Sequence, residues 1–177
     1  MPLYSLSISG SKLNLSIAES RQFDIIQRVL TFIFKNELRM YRIIYVSFLK
    51  KGTEIEPLIK DIKEKSASKN PKHYITGKLL YSSNTFLQLV EGPKVNVDVL
   101  YAIIKNDPRH KMGELIFENE VNDRLYPDFD MMISEVHGLN LNVINKVLKV
   151  SNDFQNSSPS DQEILKKMEE LENFLIK

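Results

Sequence analysis

The sequence predicts an α+β domain, a ferredoxin-like βαββαββ sheet with two helices on one face, further helices C-terminal to it and an N-terminal extension. Three observations predict it. Two β-branched and aromatic runs, 74–81 and 85–91, are separated only by Ser82-Ser83-Asn84, which supplies hairpin turn chemistry. Helical periodicity appears on either side of that hairpin, over 55–62 and 97–104. Further strand-like runs at 41–48, 115–121 and 128–135 complete the order, which places both helices on the same side of one sheet.

Residues 1–39 form the extension. Leu6 and Ile8, then Leu13, Leu15 and Ile17, alternate with polar residues and suggest a small hairpin, and Glu19–Leu38 carries Phe23, Ile26, Leu30 and Ile33 at helical spacing. Met40 precedes the first strand, so 1–39 reads either as native sequence or as sequence upstream of the start. The core is expected over 40–135. Its first strand is Tyr41–Phe48. A helix opens after Gly52-Thr53, with Pro57 in its first turn and Ile55, Leu58, Ile59 and Ile62 as the inward stripe. In the second arm of the hairpin, Phe86, Gln88 and Val90 share one face and Leu87 and Leu89 the other. Pro93 starts the second helix, with Val97, Leu100, Tyr101, Ile103 and Ile104 inward, ending before Asp107-Pro108. Beyond Gly138, Leu141 to Val150 is an apolar helix, Ser151–Ser160 is polar turn material, and Ser160 with Glu163 forms a capping box for a last helix. Its Ile164, Met168, Leu171 and Leu175 form a short seam. These helices either cover the second face of the sheet or present the seam for dimerisation or partner docking.

Composition narrows the function classes. The chain has 177 residues and a net charge of +1, which gives no long-range field for nucleic acid or an acidic membrane. It has no cysteine, which excludes disulfides, thiolate metal sites, a cysteine nucleophile and cysteinyl adducts of a cofactor. No apolar run reaches membrane-spanning length and no signal peptide is evident, so the expected location is the cytoplasm. The three histidines, His73, His110 and His137, have no metal spacing. The six glycines are too scattered for a phosphate cradle, and no nucleophile–base pair supports a small hydrolase.

What remains is polar chemistry on apolar strands. Gln88 lies between Phe86 and Val90, where an amide must find partners; a backbone or water partner would satisfy it. Tyr45 is mid-strand with a hydroxyl that also needs a partner. Asn70 before Pro71 reads equally as an Asx-type turn.

Ile75-Thr76-Gly77 followed by Phe86-Leu87-Gln88-Leu89-Val90-Glu91-Gly92 resembles the core of the BLUF family, blue-light sensors that use a flavin. Tyr41-Arg42-Ile43-Ile44-Tyr45, Asn70-Pro71, Asp107-Pro108-Arg109-His110 and Tyr126-Pro127-Asp128-Phe129-Asp130-Met131 fall at the family's intervals. The resemblance covers roughly 40–135. It implies a non-covalent flavin, FAD by the family's habit, with FMN and riboflavin sharing the same ring. It implies that Tyr45 is photoactive, that Gln88 switches its hydrogen bonds between Tyr45 and the flavin, and that Met131 relays the change. Asn70 would hold the carbonyl edge of the ring, and Ile62, Ser66, Leu79, Phe86 and Ile104 would line the slot. Asp107, Arg109 and His110 would meet the ribityl and phosphate end, Arg109 through its forked donors. There are three departures: Lys69 stands in place of a second asparagine, Ile103 in place of a basic residue, and Phe129 in place of tryptophan.

The implied function is a photoreceptor rather than an enzyme. Residues 136–177 are too short for a cyclase or phosphodiesterase, so output is expected through a downstream protein partner or self-association. The competing reading is a flavin-binding or oligomerising adaptor without photoactivity, which Lys69 and Ile103 motivate.

Overall fold

The computed structural model of the chain describes residues 22, 24–28, 39–148 and 159–175. The chain divides into two units, 1–36 and 37–177. In the first, Gln22 and residues 24–28 are helical, with Ile25 and Ile26 exposed. The expected hairpin before them, and the rest of the expected helix over 19–38, lie outside the described residues.

The second unit is a five-stranded sheet with helices on both faces. Its strands are β1 (Met40–Leu49), β2 (Thr76–Ser82), β3 (Thr85–Pro93), β4 (His110–Val121) and β5 (Met132–Glu135), in the spatial order β4-β1-β3-β2-β5. β1 is antiparallel to both β3 and β4, β2 is antiparallel to β3, and β5 runs parallel to β2. The first four strands take the order expected of the ferredoxin-like arrangement, and β5 extends it beyond β2.

The helices are α1 (Ile55–Lys69), α2 (Lys94–Lys105), α3 (Leu141–Leu148) and α4 (Asp161–Leu175). Strand alternation sends residues to the two sides of the sheet. Ile43, Tyr45, Leu79, Phe86 and Val90 face α1 and α2, where Leu58 and Val97 are the buried helix positions. Ile44, Val46, Leu80, Leu87 and Leu89 face the other way and form one core with Ile144 and Leu148 of α3 and Ile164, Met168 and Leu171 of α4. Ile164, Met168 and Leu171 of the expected seam are therefore buried against their own sheet, and the Leu175 side chain lies outside the described ones. The Ser160 hydroxyl accepts from the Glu163 amide and the Glu163 carboxylate accepts from the Ser160 amide, the reciprocal cap that the sequence predicts.

Three expectations are corrected. The strand begun at Tyr74 starts at Thr76, because Pro71–His73 is a 3-10 turn closed by Tyr74 at φ 52, which leaves that ring exposed. The strand expected over 128–135 is limited to Met132–Glu135, because residues 127–130 turn, with the Phe129 amide donating to the Tyr126 carbonyl. Ile103, expected inward, is 63 % exposed, since α2 presents Leu100, Tyr101 and Ile104 to the sheet instead. Gly77 has a positional reason: a Cβ there would lie 2.2 Å from the Leu89 carbonyl oxygen, so only glycine lets β2 approach β3 this closely.

Candidate functional site

Between α1, α2 and the sheet lies a cavity of about 590 Å³, within the usual range for small-molecule sites. Its floor comes from the pleat. Leu79 and Phe86 are buried and apolar, and Gln88 is the amide beside them. α1 contributes Leu58, Ile62 and Ser66 to one wall, and α2 contributes Leu100 and Ile104 to the opposite one. Asn70 and Met131 complete one end, and Asp107, Arg109 and His110 the other.

Tyr45 lies one layer deeper, 1 % exposed. β1–β3 pairing sets Tyr45 directly opposite Gln88, so the two side chains project from the same face. The Tyr45 hydroxyl donates to Gln88 Oε1 at 2.5 Å, and Gln88 Nε2 points at the Met131 sulfur, 3.7 Å away. Burial, reinforced by the neighbouring Tyr101 ring at 5.1 Å, pushes the Tyr45 phenol well above its ordinary pKa. Tyr45 is therefore neutral at physiological pH and able to donate to Gln88 Oε1.

Asn70 forms no Asx-type turn. Its side-chain amide donates at 2.8 Å to the Asp130 carbonyl, tying the end of α1 to the loop before Met131. Its own backbone carbonyl receives the His73 and Ile75 amides.

At the far end Arg109 engages two carboxylates of the chain. Its Nε and Nη2 donate to Asp107, and its Nη1 donates to Asp61 at 2.6 Å. The guanidinium thus joins α1 to the loop after α2 across the cavity. The Arg109 hydrogen bonds hold the Asp107 carboxyl down at about 2 against the opposing effect of its burial. Hydrogen bonds from Lys65 and then Arg109 depress Asp61. His110 Nε2 lies 2.8 Å from the Ile104 carbonyl oxygen.

Asp61 is the site residue that sequence reasoning missed. Its signal was its position beside Ile62 on the inward stripe, with Lys65 one turn on. Of the three departures, Lys69 and Ile103 line the cavity, whereas Phe129 is largely exposed. Among the described residues no cluster of His, Asp or Glu could hold a metal ion, and no helix is long and apolar enough to cross a membrane.

The dimensions and chemistry suit a planar heteroaromatic ring: apolar walls on two sides, one amide and its phenol partner at the floor, polar groups at both ends.

Comparison with known proteins agrees. The family model for sensors of blue light using FAD, BLUF, matches residues 40–132. Photoactivated adenylate cyclase subunit alpha of Euglena gracilis is 42 % identical over 59 residues, 33 % of this chain and 6 % of that protein. The beta subunit of Euglena longa is 28 % identical over 99 residues, 55 % of this chain and 12 % of that protein. The chain thus spans only a small fraction of the curated relatives it matches. Among solved structures, the dark state of the BLUF protein BlrB superposes with a TM-score of 0.55 at 24 % identity, covering 75 % of this chain and 96 % of that one. A bacterial light-regulated adenylyl cyclase gives 0.53 at 24 % identity, covering 77 % of this chain and 40 % of that one. At these identities the structural likeness shows the fold. The family model covers more than half of the chain, and with it the conclusion is plain: this chain belongs to the BLUF family of blue-light sensors.

Proposed function

We propose that this chain is a blue-light photoreceptor in which Tyr45 and Gln88 convert excitation of a non-covalent flavin into a change of hydrogen bonding. The observation that carries the reading is the Tyr45–Gln88 hydrogen bond at the floor of a cavity whose walls fit a flat ring. A bound flavin supplies absorption of blue light and transient acceptance of an electron. Tyr45 is the oxidisable group directly behind Gln88; it would give up an electron to a bound flavin and pass its phenolic proton towards Gln88 Oε1, and both would return to Tyr45 to complete the cycle. Gln88 carries donors and an acceptor on one rotatable group, so a rotation or tautomerisation re-sorts its partners. Met131, already next to the amide nitrogen, takes up the altered packing because a thioether adapts at low cost.

Asn70 would meet the ring edge while anchoring the Asp130 carbonyl. Ile62, Ser66, Leu79, Phe86 and Ile104 would sandwich the ring, and Asp107, Arg109 and His110 would border its ribityl chain. FAD is the favoured form, and FMN and riboflavin carry the same ring. Arg109 is already engaged by Asp61 and Asp107, so phosphate contacts are subsidiary to holding the cavity walls together. Output passes to a downstream protein or a second copy of the chain, in the cytoplasm, without nucleic acid or membrane.

The test is spectroscopic. The flavin-loaded protein is expected to be yellow, to shift slightly to the red under blue light and to recover in darkness. Gln88→Leu keeps volume but removes every exchangeable hydrogen bond, so it should hold flavin and lose the shift. A normal shift in Gln88→Leu would remove Gln88 from the mechanism. A stable, unresponsive wild-type spectrum would select the adaptor reading instead.

A further inference from the structure

The face of the sheet opposite the cavity is covered by α3 and α4, and α4 is held in two different ways along its length. From Ile164 to Leu171 the attachment is apolar, with Ile164, Met168 and Leu171 each fully buried. At its start, Asp161 meets Arg42 Nη1 at 2.5 Å. Arg42 does not depend on that contact. Its Nε donates to the buried Glu91 at 2.9 Å and its Nη2 to the Asp123 carbonyl.

The last turn differs. Glu172 accepts a hydrogen bond from Lys78 Nζ, and the Ser134 hydroxyl lies near enough to favour its charged form. Lys78 is 2 % exposed on β2, on the same face as Leu80, with its ammonium over the Tyr126 ring at 5.4 Å. Among the described residues Glu172 is its one carboxylate partner.

We propose that the last turn of α4, from Glu172 onward, is a charge-held latch that reads the position of β5. The latch itself stands without the light reading; its coupling to Gln88 deepens that reading. A buried ion pair differs from apolar packing in how it responds to displacement. Lys78 loses its hydration on docking and Glu172 most of its own, and only close, well-aligned pairing offsets that loss. An apolar contact weakens gradually as it is pulled apart. A buried pair loses its compensation over a small shift while the desolvation cost remains, and undocking then lets water solvate both groups. The last turn is therefore poised between paired and hydrated states, whereas Ile164 to Leu171 keep the rest of α4 seated.

The strand that sets the pair's geometry is β5. Its parallel register puts Met132 beside Lys78 and Ser134 beside Leu80. Met131, which Gln88 touches, immediately precedes this four-residue strand. A shift at Met131 thus reaches Glu172 through Ser134 within three residues.

The test is amide exchange of the full chain in darkness, followed by mass spectrometry. Glu172→Gln leaves Lys78 without a carboxylate, so exchange over 170–175 should rise about tenfold while 161–166 is unchanged. Adding Lys78→Met removes the stranded cation and should return the segment towards wild-type exchange; this double variant also keeps the test open if Glu172→Gln folds poorly. Unchanged exchange in Glu172→Gln, or a rise spread evenly along α4, would overturn the latch. Ser134→Ala lies outside the cavity and tests the coupling. In a sample that shows the absorption shift, it should abolish the light–dark difference in exchange over 170–175. Persistence of that difference in Ser134→Ala would overturn the link to β5, whereas a missing absorption shift in the wild type would be a failure of the light reading alone.

Discussion

At the scale of single residues, the site is organised by one buried donor–acceptor pair, Tyr45 and Gln88. Tyr45 is held protonated by its burial, and Gln88 offers its carbonyl oxygen to the phenol and its amide nitrogen to Met131. Tyr45→Phe retains the ring and the packing but has no phenolic proton. It should bind flavin with about wild-type affinity and lose the reversible red shift in transient absorption; unchanged cycling would identify another donor, with Tyr101 the nearest ring. Asp107 gives a pH prediction. Its folded pKa lies below its usual 3.8, at about 2. Its contribution to stability is therefore complete above about pH 4 and lost as pH falls through about 2. Thermal midpoints of wild type and Asp107→Asn should converge over that window, and parallel curves would contradict it.

Residue identities at the site were legible in the sequence where strand alternation governs them. Gln88, Phe86 and Leu79 share the cavity face because the pleat has a period of two. What stayed hidden depends on distant partners. Arg42 and Lys78 stand in runs that read as ordinary strands, yet their carboxylates come from 119 and 94 residues further along the chain. Nothing local to Arg109 announces its partner Asp61 across the cavity, 48 residues earlier.

At the scale of elements, the helix predictions held where periodicity and capping agreed and drifted where only one was present. α4 begins where Ser160 and Glu163 place it. α2 has a less sharply defined inward face: Ile103 continues the apolar pattern but faces outward along the rim of the cavity. β5 was overextended because Asp128 to Met131 alternates like a strand, whereas Tyr126-Pro127 imposes a turn first. The cap gives an element-level prediction. Ser160→Ala should cost about 1 kcal/mol, which for a chain of this size is about 2–4 °C in Tm by calorimetry. Its flavin absorption should be unchanged, since α4 is on the opposite face of the sheet. No change in Tm would mean that the cap is not contributing.

At the scale of the whole molecule, one sheet separates two compartments. One side holds a ligand-sized cavity with mobile chemistry at its floor; the other is a close-packed apolar layer sealed by α3 and α4. β5 borders both. If output is a change of association, the set of proteins retained on an immobilised full chain should differ between blue light and darkness, and that difference should vanish in Gln88→Leu. Identical sets under both conditions, from a preparation that photocycles, would exclude association as the output.

The buried Arg42–Glu91 pair has a consequence for how such a sequence can vary through time. Glu91 also receives the Leu125 and Tyr126 amides, so it serves the strand, the cation and the loop that leads to Met131. Changing Arg42 alone leaves the buried Glu91 without its cation; changing Glu91 alone leaves Arg42 with Asp161 as its carboxylate partner and orphans two amides. Each single step is therefore costly to stability, and a change at one position favours a compensating change at the other. A relative that has lost the arginine is expected to carry a neutral acceptor, such as glutamine, in place of the glutamate.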